Sequence, residues 1–298
     1  MYKIDLHTHT CVSDGNQSPL RTLVRAYNEN IDILSITDHN TINQYLLLEK
    51  QIKNCKNSNK EKINKILSKT KIIRGIELTC SYKNNFLDIL GYNFDRKKMQ
   101  RNLVALTRKL ANKNEVLRKG FLQIINKYNL KFDTSLLYTQ PVLSVAFFNE
   151  LKNHKENNFI CHNIYTLKQF LQHINNPSSP FYINLSITLP NIHDTISCIH
   201  KSGGIAFIAH VGRYSTRIKY ELDNIIACGI DGIEVWYPMH NTKLQNYLLS
   251  KVIKHNLKAS GGSDNHYISE KGNCFGLGCM NIPHISQTQW IIDGIKGK

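Results

Sequence analysis

Short apolar runs recur along this chain of 298 residues, and most of them run into a histidine or a carboxylate. Tyr2, Ile4 and Leu6 alternate with Lys3, Asp5 and His7, which predicts a short buried strand over residues 2–9. Side chains two apart on a strand share a face, so His7 and His9 point the same way and can hold one ion together. Asp14 follows in a Ser-Asp-Gly turn that can fold back over the strand end. Ile31 to Thr37 runs into Asp38-His39, and Ile72-Ile73 leads into Gly75-Ile76-Glu77. Phe86 to Tyr92 carries a lone carboxylate, Asp88, which needs a cation or a donor once buried. Ile205 to Ala209 delivers His210, with Arg213 three residues later. Ile230 to Trp236 contains Glu234, and Leu257 to Ser263 ends in Asp264-Asn265-His266. Polar groups gathered after the strands imply a mostly parallel sheet with its site on one rim.

Helical patterns separate these strands. Ser18-Pro19 supplies an N-cap and a first-turn proline for a helix with the stripe Leu20, Leu23, Val24, Tyr27. Residues 40–70 read as helical but polar, with eight lysines and one acid, Glu61, between Lys50 and Lys71. Such a run is either a solvated face or an approach surface for a polyanion. From about 96 to 190 the alternation stops. Leu103, Leu106, Leu110, Leu117, Phe121, Ile124 and Tyr128 recur at helical spacing, and Val142–Leu151 and Leu167–Ile174 predict further helices. Residues 96–190 are therefore expected to be a helical insertion. Helices are expected near Asn191–Lys201, Tyr220–Cys228 and Asn241–His255.

Composition bounds the function. A hydrophobic fraction of 41% supplies a core and argues against disorder. No apolar run approaches ~18 residues, so no membrane span is expected. Eight scattered cysteines without a Cys-x-x-Cys pair read as free thiols, and with no signal segment before His7 a cytoplasmic location is expected. The formal charge of +16 favours anionic partners, such as phosphorylated metabolites or nucleic acid. No obligate protein partner is evident.

The ordered set His7-x-His9, Asp14, Thr37-Asp38-His39, Gly75-x-Glu77, Ala209-His210 and Gly262-Ser263-Asp264-x-His266 resembles the PHP (polymerase and histidinol phosphatase) family. The resemblance implies a distorted (β/α)7 TIM-like barrel, an α/β fold, built from residues 1–95 and 191–298. The insertion at 96–190, a lid or substrate subdomain, resembles that of the nucleoside-bisphosphate phosphatase and oligoribonucleotide exonuclease branch. The resemblance further implies two or three divalent ions. His7, His9, Glu77 and Asp264 would hold the first. Glu77 would bridge to a second, completed by His210 and Asp88, and Asp14, His39 and His266 would hold a third. Nine His and carboxylate ligands with no thiolate suit Mn²⁺, Fe²⁺ or Zn²⁺. Asp38 is expected to orient an imidazole.

Four positions depart from the branch pattern. Asp88 stands where His is usual. Thr139-Gln140-Pro141-Val142 replaces a Gly-Arg-Pro-His stretch. Val211 follows His210 in place of Pro, and Tyr267 stands where Gly is common.

The expected activity is hydrolysis of phosphate monoesters or terminal phosphodiesters of nucleotides or short oligonucleotides, with hydroxide supplied by the metals, among which Glu77, Asp264 and His210 stand. Arg213 is expected to grip phosphate through its planar fork. His240 is expected either to donate to phosphate or the leaving oxygen, or to be an ordinary loop histidine. Alternatives are a phosphatase of a small metabolite such as histidinol phosphate, a metal-dependent amidohydrolase, and a nucleic-acid binding module that has lost its metals.

Overall fold

The computed structural model describes residues 2–108, 110–266 and 276–296. Seven strands form one sheet in sequence order: β1 (Ile4–Asp5), β2 (Ile33–Ile36), β3 (Lys71–Tyr82), β4 (Asn85–Tyr92), β5 (Ile205–Ile208), β6 (Gly232–Trp236) and β7 (Lys258–Gly261). The pairs β1–β2, β2–β3, β5–β6 and β6–β7 are parallel, and β4 runs antiparallel to β5. The reversal follows from a two-residue turn after β3. Lys83 and Asn84 both have positive φ, the conformation of the tightest hairpins.

Helices fill the connections. In chain order they are α1 (Pro19–Asn28), α2 (Asn43–Lys53), α3 (Asn57–Lys69), α4 (Arg96–Thr107), α5 (Lys113–Tyr128), α6 (Leu136–Thr139), α7 (Leu143–Asn153), α8 (Asn158–Cys161), α9 (Leu167–Ile174), α10 (Ile192–Lys201), α11 (Thr216–Tyr220), α12 (Leu222–Ala227), α13 (Thr242–Lys254) and α14 (Gln289–Lys296). Ser18 caps α1 as its spacing predicts, its side chain accepting from the Arg21 N–H. None of the described helices is long and apolar enough to cross a membrane.

Alternation along β2 decides which side each residue serves. Ile33 joins the main core with Leu6, Ile76, Leu87, Phe207 and Ile233. Leu34 and Ile36 face the other way, packing with Leu23 and Ala26 of α1, Leu48 of α2 and Ile66 of α3. A strand covered on both faces is buried throughout, and β2 is, Ser35 included. The strand predicted over residues 2–9 is regular only at Ile4–Asp5, but its continuation is paired. The Leu6 N–H donates to Gly261 O at 3.1 Å, the Asp264 N–H to His7 O at 2.8 Å and the His9 N–H to Asn265 O at 2.9 Å. The sheet is therefore curled, with the residues after β1 bonded to those after β7. Buried Asp5 reinforces this join, accepting from the Ser263 N–H at 2.9 Å and the Gly278 N–H at 2.7 Å.

The chain divides into two compact units. One holds Met1–Tyr82, Phe86–Arg108 and Asn191–Lys298, and the other Lys83–Asn85 and Lys109–Pro190. The second has its own aromatic core, with Phe121 stacked on Phe147 at 4.1 Å and Phe170 edge-on to Phe181 at 5.5 Å. The helical stretch expected from residue 96 begins within the first unit. Met99 and Leu103 of α4 are buried in the main core with Ile196 and Ile199 of α10, so α4 is part of that unit. Seven cysteines are free thiols; Cys274 and Tyr267 lie outside the described residues.

Candidate metal centre

The site is assembled at the ends of the strands. His7 and His9 follow β1, His39 follows β2 and Glu77 lies in β3, bridged by backbone to His39. Asp88 lies in β4, where its carbonyl accepts from the Ala209 N–H. Because β4 is reversed, its early residues meet the end of β5, and Asp88 reaches His210 from there. Asp264 and His266 follow β7.

Four ligand atoms converge most tightly. His7 Nε2 lies 3.1 Å from His9 Nε2, 3.2 Å from Glu77 Oε2 and 3.4 Å from Asp264 Oδ1. His9 Nε2 lies 3.1 Å from Glu77 Oε2 and 3.2 Å from Asp264 Oδ1. A regular tetrahedron with such edges has its centre about 2.0 Å from each corner, the distance at which Zn²⁺ binds nitrogen or oxygen. The donor chemistry agrees. Glu234 Oε1 is 2.8 Å from His7 Nδ1, and a carboxylate only accepts, so Nδ1 carries the proton. In the neutral form, the one that binds a cation, the lone pair of His7 is then on Nε2, facing the other three atoms. Lone pairs this close repel one another unless a proton or a cation sits among them.

The other oxygen of Glu77 faces elsewhere. Glu77 Oε1 is 3.0 Å from His210 Nε2, which in turn is 3.7 Å from Asp88 Oδ2. Glu77, Asp88 and His39 also offer ligand atoms within 4.8 Å of one another. Asp88 is steadied by Thr79, whose hydroxyl donates to Oδ1 at 2.7 Å. A third group joins Asp14 to His266 Nε2 at 3.2 Å, His9 Nδ1 at 3.5 Å and His39 Nε2 at 3.8 Å. Apart from that long approach of Asp14 to His9, the buried Nδ1 atoms of His9 and His210 have no hydrogen-bond partner among the described residues. The residues present thus fit divalent cations.

Electrostatics follow from this crowding. Burial opposes a charged His7, but Glu234, Glu77 and Asp264 outweigh it and hold the imidazole well above its ordinary value. His9 is likewise raised, to about 9, burial being outweighed by its bonds to Asp264 and Glu77. Burial would raise Glu77, yet the charge on His7 and the bonds from His210, His7 and His9 hold it well below the usual carboxylate range. Asp88 is raised by burial and by the charge on Glu77.

Two ligands stand on unusual backbone. His210 has φ of 28° and Asp264 φ of 52°, both in the left-handed region. Such conformations cost on the order of 1–3 kcal/mol and need support. The His210 N–H donates to Glu234 Oε2 at 2.6 Å, and the Asp264 N–H to His7 O.

Of the expected site residues, nine proposed ligands converge. Two further residues have contacts of their own. Among the described residues, no hydrogen bond joins the Asp38 carboxylate to an imidazole. Its carboxylate accepts from the Thr10 N–H at 2.7 Å, the Thr10 hydroxyl at 2.6 Å and the Ser13 hydroxyl at 2.6 Å, so it ties down the loop carrying Asp14. His240 is buried with both ring nitrogens occupied by backbone. Nδ1 is 2.9 Å from Val235 O, and Nε2 accepts from the Gly212 N–H at 2.9 Å. Burial lowers its pKa, so it is a neutral brace for the turn before Arg213, with no proton to offer a substrate. Arg213 is half-exposed at the rim, its Nη1 3.2 Å from Asp264 Oδ2. Tyr237, which sequence reasoning passed over, donates to that same oxygen at 3.1 Å. Glu234 was also missed, although a lone carboxylate inside an apolar strand is the signal that singled out Asp88.

Comparison with known proteins places this arrangement. The chain is 27% identical to a 5'-3' exoribonuclease of Haemophilus influenzae over 279 residues, covering 89% of this chain and 90% of that protein. It is 23% identical to a 3',5'-nucleoside bisphosphate phosphatase of Chromobacterium violaceum over 302 residues, covering 97% and 96%. Its fold matches a solved Chromobacterium violaceum structure, described as an amidohydrolase with bound sulfate, at a TM-score of 0.64 with 21% identity, covering 98% of this chain and 96% of that one. The family profile described as PHP domain matches residues 5–186, more than half of the chain. The chain belongs to the PHP domain family.

Proposed function

We propose that this chain is a metal-dependent phosphoesterase acting on phosphate monoesters, or terminal phosphodiesters, of nucleotides or short oligonucleotides. The observation that carries this reading is the set His7, His9, Glu77 and Asp264, whose two imidazole nitrogens stand 3.1–3.4 Å from each other and from both carboxylate oxygens, with Arg213 at its edge. These four residues hold one ion. Glu77, His210 and Asp88 hold a second, and Asp14, His39 and His266 a third, the ions being Mn²⁺, Fe²⁺ or Zn²⁺. When bound, such ions polarise phosphoryl oxygens and make water a stronger acid near neutral pH. The chain's own residues do the rest. Arg213 offers two parallel N–H groups to a phosphate, and Asp264, also bonded by Tyr237, sets its direction. Asp38, through Thr10 and Ser13, keeps Asp14 at the rim.

The relatives named above, an exoribonuclease and a nucleoside bisphosphate phosphatase, support the nucleotide class of substrate. The bonds between the ends of β1 and β7 support reading the curled sheet as a distorted (β/α)7 barrel. The second unit is read as a subdomain that selects substrate. Free cysteines suit a reducing compartment, which supports work in the cytoplasm.

The test is a substrate screen on chelated protein reloaded with Mn²⁺, Fe²⁺ or Zn²⁺. Hydrolysis of a nucleoside 3',5'-bisphosphate or a short 5'-phosphorylated oligoribonucleotide should vanish on chelation and return with metal. Full activity in the stripped protein, or preference for histidinol phosphate or an amide, would overturn the reading.

A further inference from the structure

Glu234 is buried on β6, flanked by Ile233 and Val235, and is not one of the proposed ligands. Its two oxygens do different things. Oε1 accepts the Nδ1 proton of His7 at 2.8 Å, and Oε2 accepts the backbone N–H of His210 at 2.6 Å. One carboxylate thus reaches a side chain from the β1 end and the left-handed backbone at the β5 end.

We propose that Glu234 is a positioning residue that serves two ions at once, fixing the tautomer of His7 for the first and the backbone turn that aims His210 for the second. The inference rests on the metal reading above. A neutral imidazole binds a cation only through the nitrogen without a proton, and its tautomer is set by the partner of the other nitrogen. With its proton held on Nδ1, His7 presents Nε2 to His9, Glu77 and Asp264. The bond to His210 N–H secures a φ of 28° that would otherwise relax.

Both roles need an acceptor, so an amide cannot replace the carboxylate. In Glu234→Gln one end is an oxygen and the other an NH₂. If the oxygen stays with His210 N–H, the NH₂ meets His7 Nδ1 and drives the ring proton to Nε2, the ligand atom. If the oxygen stays with His7, two N–H groups confront each other at His210. Either arrangement spoils one ion site while the variant keeps the shape of the side chain.

Calorimetric titration of metal-stripped wild type and Glu234→Gln with Zn²⁺ is the experiment. We expect the tightest site to weaken by about 10- to 100-fold in the variant, or the second site to be lost, with circular dichroism unchanged. Wild-type stoichiometry and affinity in a folded Glu234→Gln protein would overturn the inference and leave the metal reading standing. A wild type that takes up no Zn²⁺ would overturn both. Should the variant fail to fold, ring NMR of the Zn²⁺-loaded wild type decides: a proton on His7 Nδ1 supports the role, and one on Nε2 overturns it.

Discussion

Arg213 and His240 stand at similar distances past a strand end, yet they have different fates. Arg213 keeps its guanidinium at the rim, 50% exposed, with one nitrogen on Asp264. His240 has spent both nitrogens on backbone, so its reach from the strand means nothing for chemistry. If Arg213 orients a phosphoryl group, a charge-assisted bond there contributes about 1.5–3 kcal/mol, or roughly ten- to a hundredfold. Arg213→Ala should therefore lower kcat/KM on phosphate esters by that factor, with metal content by elemental analysis unchanged. Arg213→Lys should recover only part, because a point charge lacks the planar fork. Wild-type turnover in Arg213→Ala would reduce Arg213 to a surface residue and strip the phosphate reading of its main support outside the ligands.

At the scale of elements, the site depends on how closely β1 and β7 approach. A Cβ built on Gly262 would lie 2.4 Å from both Cβ and N of His7, a contact that only backbone movement could relieve. The absence of a side chain there lets Asp264 bond back to His7 O and bring its carboxylate onto the His7–His9 pair. Gly262→Ala should destabilise the protein by about 1–3 kcal/mol, as overpacking does, and should weaken metal uptake because it displaces a backbone that carries a ligand. Thermal unfolding and Zn²⁺ titration check both. A variant with unaltered Tm and affinity would mean that this approach has slack the structure does not suggest. The strand pattern was legible along most of the chain because short apolar runs that end in polar residues are a local signal. β1 shortened to Ile4–Asp5 because the chain beyond it bonds to the irregular segment after β7.

At the scale of the molecule, every proposed ligand lies in the first unit, so the proposal that the second unit selects substrate can be tested apart from the ions. Replacing residues 109–190 by a short linker should spare metal binding and raise KM for the nucleotide or oligonucleotide substrate; unchanged kinetics would assign that unit another task. The cut belongs at 109 and not at 96, because Met99 and Leu103 of α4 fill the main core. That membership was hidden in the sequence, where α4 and α5 share one helical period and nothing local marks which core each faces. By itself the sequence determined the residue types, their order and their place at strand ends. It therefore determined that His7, His9, Glu77 and Asp264 could meet on one rim. Only the tertiary structure decided which neighbours each polar atom has. His7 and Glu234 are 227 positions apart, and Thr10 and Asp38 are 28 apart. Side-chain direction is set by local backbone geometry, but hydrogen-bond partners are set by which strands lie side by side, and that is a property of the whole sheet.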